Sequence, residues 1–267
     1  MDNRPVGFFD SGFGGLTALS AFREILPEED ILFFGDSGRA PYGAKTVEEI
    51  RTCAANILRF FRDAGVKAVF AACGTCSLLA GDLIADCGVL SCNVVAPSVE
   101  WLAAQEDTLP LGIIATAASI RSGGFERALR AAGVSREILS VPCPDFVTLI
   151  EAGIPASDPR VREAVERYLT PIRDAGASSL LLGCTHYGII EPAIREFLGG
   201  DVTILSASAC GAYALAKALR KAGMTGGKGK ESFFTSGNAD EFRRTGSMIL
   251  GHDLGPVRAI PVWEDIS

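Results

Sequence analysis

Histidine is almost missing from this chain of 267 residues: it occurs only at His186 and His252. His186 stands two residues from Cys184, where it can assist catalysis as well as sit in the core. Positive charge is also short. Lys and Arg total 25 against 32 Asp and Glu, a formal charge of −7, which argues against nucleic acid or an anionic membrane as partner. No apolar run approaches the roughly 18 residues that a membrane helix needs. Met1-Asp2-Asn3-Arg4-Pro5 carries no signal-peptide apolar region, so a cytoplasmic location is expected. No lysine sits where a Schiff base would need it; Lys45 and Lys67, at a helix start and a strand start, read as solvated.

What is present is an apolar fraction of 48%, enough for one large domain or two ordinary ones. Eight cysteines stand at 53, 73, 76, 87, 92, 143, 184 and 210. In a long chain of intracellular character these are expected to be reduced. Most, such as Cys53 and Cys210, read as small core residues.

Short apolar runs alternate with helical periodicity along the whole chain. Val6–Phe9 reads as a strand, followed by Asp10-Ser11-Gly12-Phe13-Gly14-Gly15 and a helix over 16–26. The glycines allow a tight turn that brings N–H groups near an anion. A strand over 30–34 leads into Gly35-Asp36-Ser37-Gly38-Arg39-Ala40-Pro41-Tyr42-Gly43, rich in turn formers. The spacing of Ile50, Ile57, Leu58 and Phe61 predicts a helix over 47–64. A strand over 66–72 ends at Cys73-Gly74-Thr75-Cys76, and another is expected over 88–95 before a helix opening at Pro97.

The same pattern then repeats. A strand over 111–115 runs into Thr116-Ala117-Ala118-Ser119, and a short helix carries Glu151. Leu180-Leu181-Leu182 leads to Gly183-Cys184-Thr185-His186-Tyr187. Strands over 201–205, 233–235 and 257–260 and a helix over 239–250 complete the chain. Such alternation implies an α/β fold with mostly parallel sheets. Two doubly wound lobes would bring their strand ends, with Cys73 and Cys184, to one cleft.

Other readings of the same motifs fit less well. Cys73-x-x-Cys76 at a strand-to-helix junction is also how a thioredoxin-like pair looks, but the chain is too large and lacks a Trp before Cys73. Cys73, Cys76, Cys184 and His186 do not have the two close-spaced pairs of a structural zinc knuckle. Gly12-x-Gly14 lacks the third glycine of a dinucleotide fingerprint, since Thr17 stands there. His252 reads as a turn histidine.

Taken together, Phe9-Asp10-Ser11-Gly12-x-Gly14-Gly15-Leu16, Gly35-Asp36-Ser37-x-Arg39-x-Pro41-Tyr42-Gly43, Ala72-Cys73-x-Thr75, Ser122-Gly123 and Gly183-Cys184-Thr185-His186-Tyr187 resemble the glutamate racemases of the aspartate/glutamate racemase superfamily. The resemblance covers nearly the whole chain. It implies two α/β lobes with pseudo-twofold symmetry: residues 1–97 with 210–267, and residues 98–209. It also implies no cofactor, no metal, a homodimer, and a role in supplying D-glutamate for peptidoglycan. Cys73 and Cys184 would be the two acid/base thiols. Asp10 and His186 would assist them, with Glu151 a further assistant. Asp10, Ser11, Pro41, Tyr42, Gly43, Gly74, Thr75, Thr185 and His186 would hold the amino acid.

The chemistry suits that assignment. Racemisation removes a weakly acidic Cα–H and returns a proton to the opposite face, and thiols near their usual pKa of about 8.5 need only modest tuning to do both. The chain departs from the family at Gly74, where Asn is usual, and more mildly at Ser119, Leu205-Ser206 and Asp145. Glycine leaves only a backbone N–H at 74, so the expectation is that Gly74→Asn restores a substrate clamp. The alternatives are a racemase of another amino acid, or a silent amino-acid-binding or regulatory protein.

Overall fold

The computed structural model describes residues 1–260. Five consecutive buried residues make β1 (Val6–Asp10), and α1 (Leu16–Ile25) returns over it to β2 (Ile31–Gly35). Helix α2 (Val47–Asp63) starts at a capping box, in which Thr46 and Glu49 satisfy each other's backbone N–H groups. It leads to β3 (Ala68–Ala71), α3 (Gly74–Leu79), α4 (Gly81–Ala85) and β4 (Leu90–Asn93). Helix α5 (Val95–Ala103) begins two residues before Pro97. The reason is Asn93, whose Oδ1 accepts from the Val95 and Ala96 N–H groups at 2.9 and 3.2 Å and turns the chain early.

The second half repeats the plan with β5 (Leu111–Ala115), α6 (Ala117–Ser122), α7 (Gly124–Ala131), β6 (Ile138–Pro142) and α8 (Pro144–Glu151). It continues through α9 (Pro159–Asp174), β7 (Ser179–Leu182), α10 (Glu191–Leu198) and β8 (Thr203–Ser206). The chain then supplies α11 (Ala207–Lys221), β9 (Glu231–Thr235), α12 (Ala239–Leu250) and β10 (Val257–Ala259).

All pairings are parallel. One sheet has the order β10-β9-β2-β1-β3-β4 and the other β6-β5-β7-β8. The run β2-β1-β3-β4 therefore matches β6-β5-β7-β8 strand for strand. Two lobes of one design result, and the last two strands extend the first. The central strands are buried on both faces, which is why they read as unbroken apolar runs and not as alternating ones.

Successive side chains on these strands serve different cores. Phe8 and Phe70 join Leu19, Ala212 and Leu215, and this same cluster takes in Ile113 and Leu181 from the other sheet. Phe9 and Phe34 pack outward on Ile50, Ile57 and Phe61. Ile114, Leu180 and Leu182 pack outward on Phe146, Val165 and Leu169. One apolar layer, built around α1, α5 and α11, thus bridges both sheets. Among the described residues, no helix is long and apolar enough to cross a membrane.

Lys67 corrects an expectation. It is not solvated but 1% exposed. Its Nζ lies 2.5 Å from Glu29 Oε2 and donates to the carbonyls of Asp2 and Gly226 at 2.6 and 2.9 Å. The residue stands before β3, where the N-terminal segment and the loop over 223–230 close over it. Removing one partner of a buried pair leaves the other charge uncompensated. Lys67→Met is therefore expected to cost about 3–5 kcal/mol in urea unfolding. It should leave the chemistry of the folded protein intact, because the pair lies at the amino ends of the strands.

Candidate active site

In both sheets the strand order reverses at one place, between β1 and β3 and between β5 and β7. Ligands of open parallel sheets bind outside the carboxyl ends at such a point. Register sharpens the equivalence. Phe9 pairs with Ala71, and Ile114 pairs with Leu182. Two residues beyond each pair stand Ser11 with Cys73 in one lobe and Thr116 with Cys184 in the other. The repeat suggested by the sequence extends to single residues here.

A cavity of about 570 Å³ opens between these ends. The first lobe contributes Ser11, the segment from Pro41 to Ala44, and Cys73, Gly74 and Thr75. The second contributes Thr116, Ala117, Pro144, Val147, Thr148, Glu151, Cys184, Thr185 and His186. Lysine and arginine are not among these residues, so hydroxyls, backbone N–H groups and the His186 imidazole are what the cavity offers an anionic group. The four α8 positions 144, 147, 148 and 151 follow helical spacing and make one wall.

Both thiols are nearly closed off, at 5% exposure for Cys73 and 8% for Cys184. Burial pushes Cys73 up to about 12, and the nearby Asp10 carboxylate adds to the rise. The Cys76 N–H, 3.5 Å from the Cys73 sulfur, and the Ser11 hydroxyl pull the other way without winning. The modest tuning expected of a thiol at a helix start is therefore not what the surroundings of Cys73 provide. Desolvation outweighs the few N–H groups of a short helix.

On the other wall, His186 stands between two partners. Its Nε2–H donates to Glu151 Oε1 at 3.0 Å, and its Nδ1 faces Cys184 Sγ at 3.7 Å. Burial opposes charge on this imidazole, but Cys184, Glu151 and Asp10 overcome it, and its pKa lies well above the usual value. The protonated ring can donate to the sulfur and to the carboxylate at once.

Asp10 does not line the cavity. It is fully buried behind Ser11, with Oδ2 accepting from the Gly12 N–H at 3.0 Å and Oδ1 from the Thr185 hydroxyl at 3.3 Å. Burial raises its pKa against the opposing effect of His186 and these donors. The contact with Thr185 ties the first lobe to the Thr185 loop. Gly14 explains why that approach is possible: a Cβ there would fall 2.4 Å from Thr185 Oγ1 and 2.5 Å from His186 Nδ1.

Tyr42 reaches the cavity with little but its backbone. Its ring is 1% exposed, and its hydroxyl donates to Asp36, which also accepts from Arg39 Nε at 2.9 Å and Ser236 Oγ at 2.6 Å. Thr75 joins the lobes through Thr116 Oγ1 at 2.9 Å and Ser119 Oγ at 3.0 Å, and those two hydroxyls lie 3.0 Å apart. Thr116 and the α8 residues Pro144, Val147 and Thr148 line the cavity without having been expected there, whereas Glu151 of the same face was expected. The signal for Thr116 was its place at the β5 end, matching Ser11.

At Gly74 a Cβ would lie 2.3 Å from the Gly183 carbonyl oxygen, so a side chain there requires the Gly183 segment to shift. Asp145 sits on the outer side of α8, exposed and paired with Arg167, away from the cavity. Among the described residues, no three His, Cys, Asp or Glu side chains are grouped to hold a metal ion.

Fold and site together define the class: a two-lobed parallel α/β protein with one thiol on each side of the seam. A family description, Asp/Glu/Hydantoin racemase, matches residues 17–215, and the chain belongs to that family. It is 35% identical over 264 residues to a glutamate racemase of Thermoanaerobacter pseudethanolicus, covering 98% of this chain and 99% of that protein. The crystal structure of the Francisella tularensis glutamate racemase in complex with D-glutamate superposes with a TM-score of 0.89 at 32% identity, covering 97% of this chain and 98% of that one. A glutamate racemase of Thermus thermophilus, solved with β-chloro-D-alanine, gives 0.88 at 34% identity, with 98% and 99% covered.

Only thiolate reacts with an alkylating agent. With its pKa near 12, Cys73 of the free protein should react with iodoacetamide slowly at neutral pH. Its rate should climb about tenfold per pH unit without levelling off below pH ~11. Mass spectrometry of the peptide carrying Cys73 reads the rate. A plateau near pH 8 would contradict the electrostatics described here.

Proposed function

We propose that this protein is a cofactor-independent glutamate racemase, acting in the cytoplasm as a homodimer to supply D-glutamate for peptidoglycan. The observation that carries the reading is the register equivalence of Cys73 and Cys184 on opposite walls of one cavity. Inversion at Cα needs a base on one face and an acid on the other, and nothing is oxidised or reduced. One sulfur takes the Cα proton as its S–H bond forms. The carbanion then takes a proton from the sulfur opposite, and the enzyme is left in the mirror protonation state.

Surrounding groups fit these roles. Cys73 begins with its proton, and the ammonium of a bound amino acid beside it would favour the thiolate. His186, held by Glu151, stabilises charge on Cys184 as that sulfur changes state. Ser11, Thr75, Thr116 and Thr185 offer hydroxyls to the carboxylates, and the backbone of Tyr42 and Gly43 offers further donors. Glutamate as the substrate is supported by the relatives named glutamate racemase and by the similar structure with D-glutamate bound.

Chiral chromatography of L- and D-glutamate incubated with the purified protein tests this. Both enantiomers are expected to converge on a racemic mixture. Cys73→Ser and Cys184→Ser should each lower kcat/KM by about 10²–10⁴-fold, the usual share of a positioned acid or base. Cys76→Ser should do much less. Binding without inversion would favour a silent amino-acid binder, and inversion of a different amino acid alone would displace glutamate.

A further inference from the structure

Strands β9 and β10 stand outside the four-strand repeat, and β9 runs up behind one wall of the cavity. It pairs with β2 so that Thr235 lies opposite Gly35. One residue further on, Ser236 comes beside Asp36, and its N–H donates to the Gly35 carbonyl at 3.3 Å. The Ser236 hydroxyl donates to Asp36 Oδ1 at 2.6 Å and accepts from the Gly38 N–H at 3.0 Å. Next to it, the Thr235 and Ser37 hydroxyls share a hydrogen bond of 2.7 Å. Ser236 and Asp36 are 200 positions apart in the chain.

Asp36 passes this contact on. Its carboxylate is fully buried and also accepts from Arg39 Nε at 2.9 Å and from the Tyr42 hydroxyl. Tyr42, with Pro41, Gly43 and Ala44, forms the first-lobe wall of the cavity. Within that wall the backbone makes local turn bonds, from Ala44 N–H to the Pro41 carbonyl at 3.3 Å and from Lys45 N–H to the Tyr42 carbonyl at 3.1 Å. Those bonds shape the turn but do not tie it to the sheet. The buried Tyr42 ring and the carboxylate that accepts its hydroxyl do so. A buried carboxylate that loses a donor is left incompletely paired, and the remaining donors are free to move.

We propose that Ser236 is a positioning residue for substrate binding, holding the 41–44 wall of the cavity in place through Asp36. This inference rests on the racemase reading above, in which the backbone of Tyr42 and Gly43 offers donors to a carboxylate. Without the Ser236 hydroxyl, Asp36 loses a donor and the Gly38 N–H loses its acceptor, and the segment between Asp36 and Tyr42 samples other positions. A ligand then binds only the fraction of molecules whose wall is in place, and its apparent affinity falls by that fraction. Bound substrate holds the wall, so the proton transfers between the thiols proceed as before. A loss that weakens ground state and transition state equally raises KM and leaves kcat alone.

Ser236→Ala tests this, with Ser236→Thr to restore the hydroxyl and Ser232→Ala, at an exposed position of the same strand, as control. The expected result for Ser236→Ala is a rise in KM of about tenfold for both enantiomers of glutamate, the scale of one hydrogen bond to a charged group. Its kcat should stay within about twofold. Hydrogen–deuterium exchange of the peptide carrying residues 37–44 should speed up as well. Ser236→Thr should return both readouts toward the unchanged protein, and Ser232→Ala should move neither. An unaltered KM in Ser236→Ala would overturn the proposal, as would a fall in kcat at constant KM or unaltered exchange over 37–44. Failure of Ser236→Thr to restore KM would also overturn it. So would failure of Ser236→Ala to fold, which would return the hydroxyl to a purely structural role. If the unchanged protein inverts no glutamate, exchange over 37–44 in the same variants still decides whether Ser236 holds this wall, so the two readings fail separately.

Discussion

One apolar layer serves two sheets, and the cavity exists because of it. Phe8 and Phe70 from the first sheet and Ile113 and Leu181 from the second enter one continuous cluster with Leu19, Ala212 and Leu215. Burying these side chains is worth roughly 1.5–3 kcal/mol each, so the lobes are held at a set separation along their length. At the carboxyl ends of the strands the layer stops and the gap opens. There the backbone no longer supplies partners for its own polar groups, and side chains and ligand must.

The price of that location is desolvation. Asp10, Cys73, Thr185 and His186 are all nearly inaccessible, and burial disfavours charge on each ionisable member. The two walls answer differently. The Cys73 side has a carboxylate nearby and keeps its proton. The Cys184 side has an imidazole held by Glu151, which favours charge on the ring. An internal repeat of the backbone therefore sets its two thiols in unlike surroundings, a carboxylate beside one and an imidazole beside the other.

Glycine is used at the seam as a measure of distance. At Gly14 the missing side chain lets the first lobe reach Thr185 and His186, and the nearest atom belongs to the other lobe. A sequence can only mark such a residue as flexible, because the atom that forbids a side chain lies more than a hundred positions away.

Much of the fold was legible in the chain. Apolar runs such as Leu180-Leu181-Leu182 are readable as strands because central parallel strands are buried on both faces, and the helices between them are readable by their period. The polar residues after each run, Asp10-Ser11, Cys73 and Cys184-Thr185-His186, marked the site because strand ends are where such sheets expose chemistry. Other residues carried no local signal. Thr116 lines the cavity and Ser119 is buried beside it where Thr75 meets both from the other lobe, and Lys67 is buried only because residues near positions 2, 29 and 226 close over it. The raised pKa of Cys73 comes from burial between lobes, which periodicity does not measure. By itself the sequence determined the strands, the helices and the residues at the strand ends, because those follow from local periodicity and turn chemistry. Tertiary structure alone decided the depth of the thiols, the partners of His186 and Asp10, and the contact that closes on Gly74, because each depends on atoms that only the packing of one lobe against the other brings together.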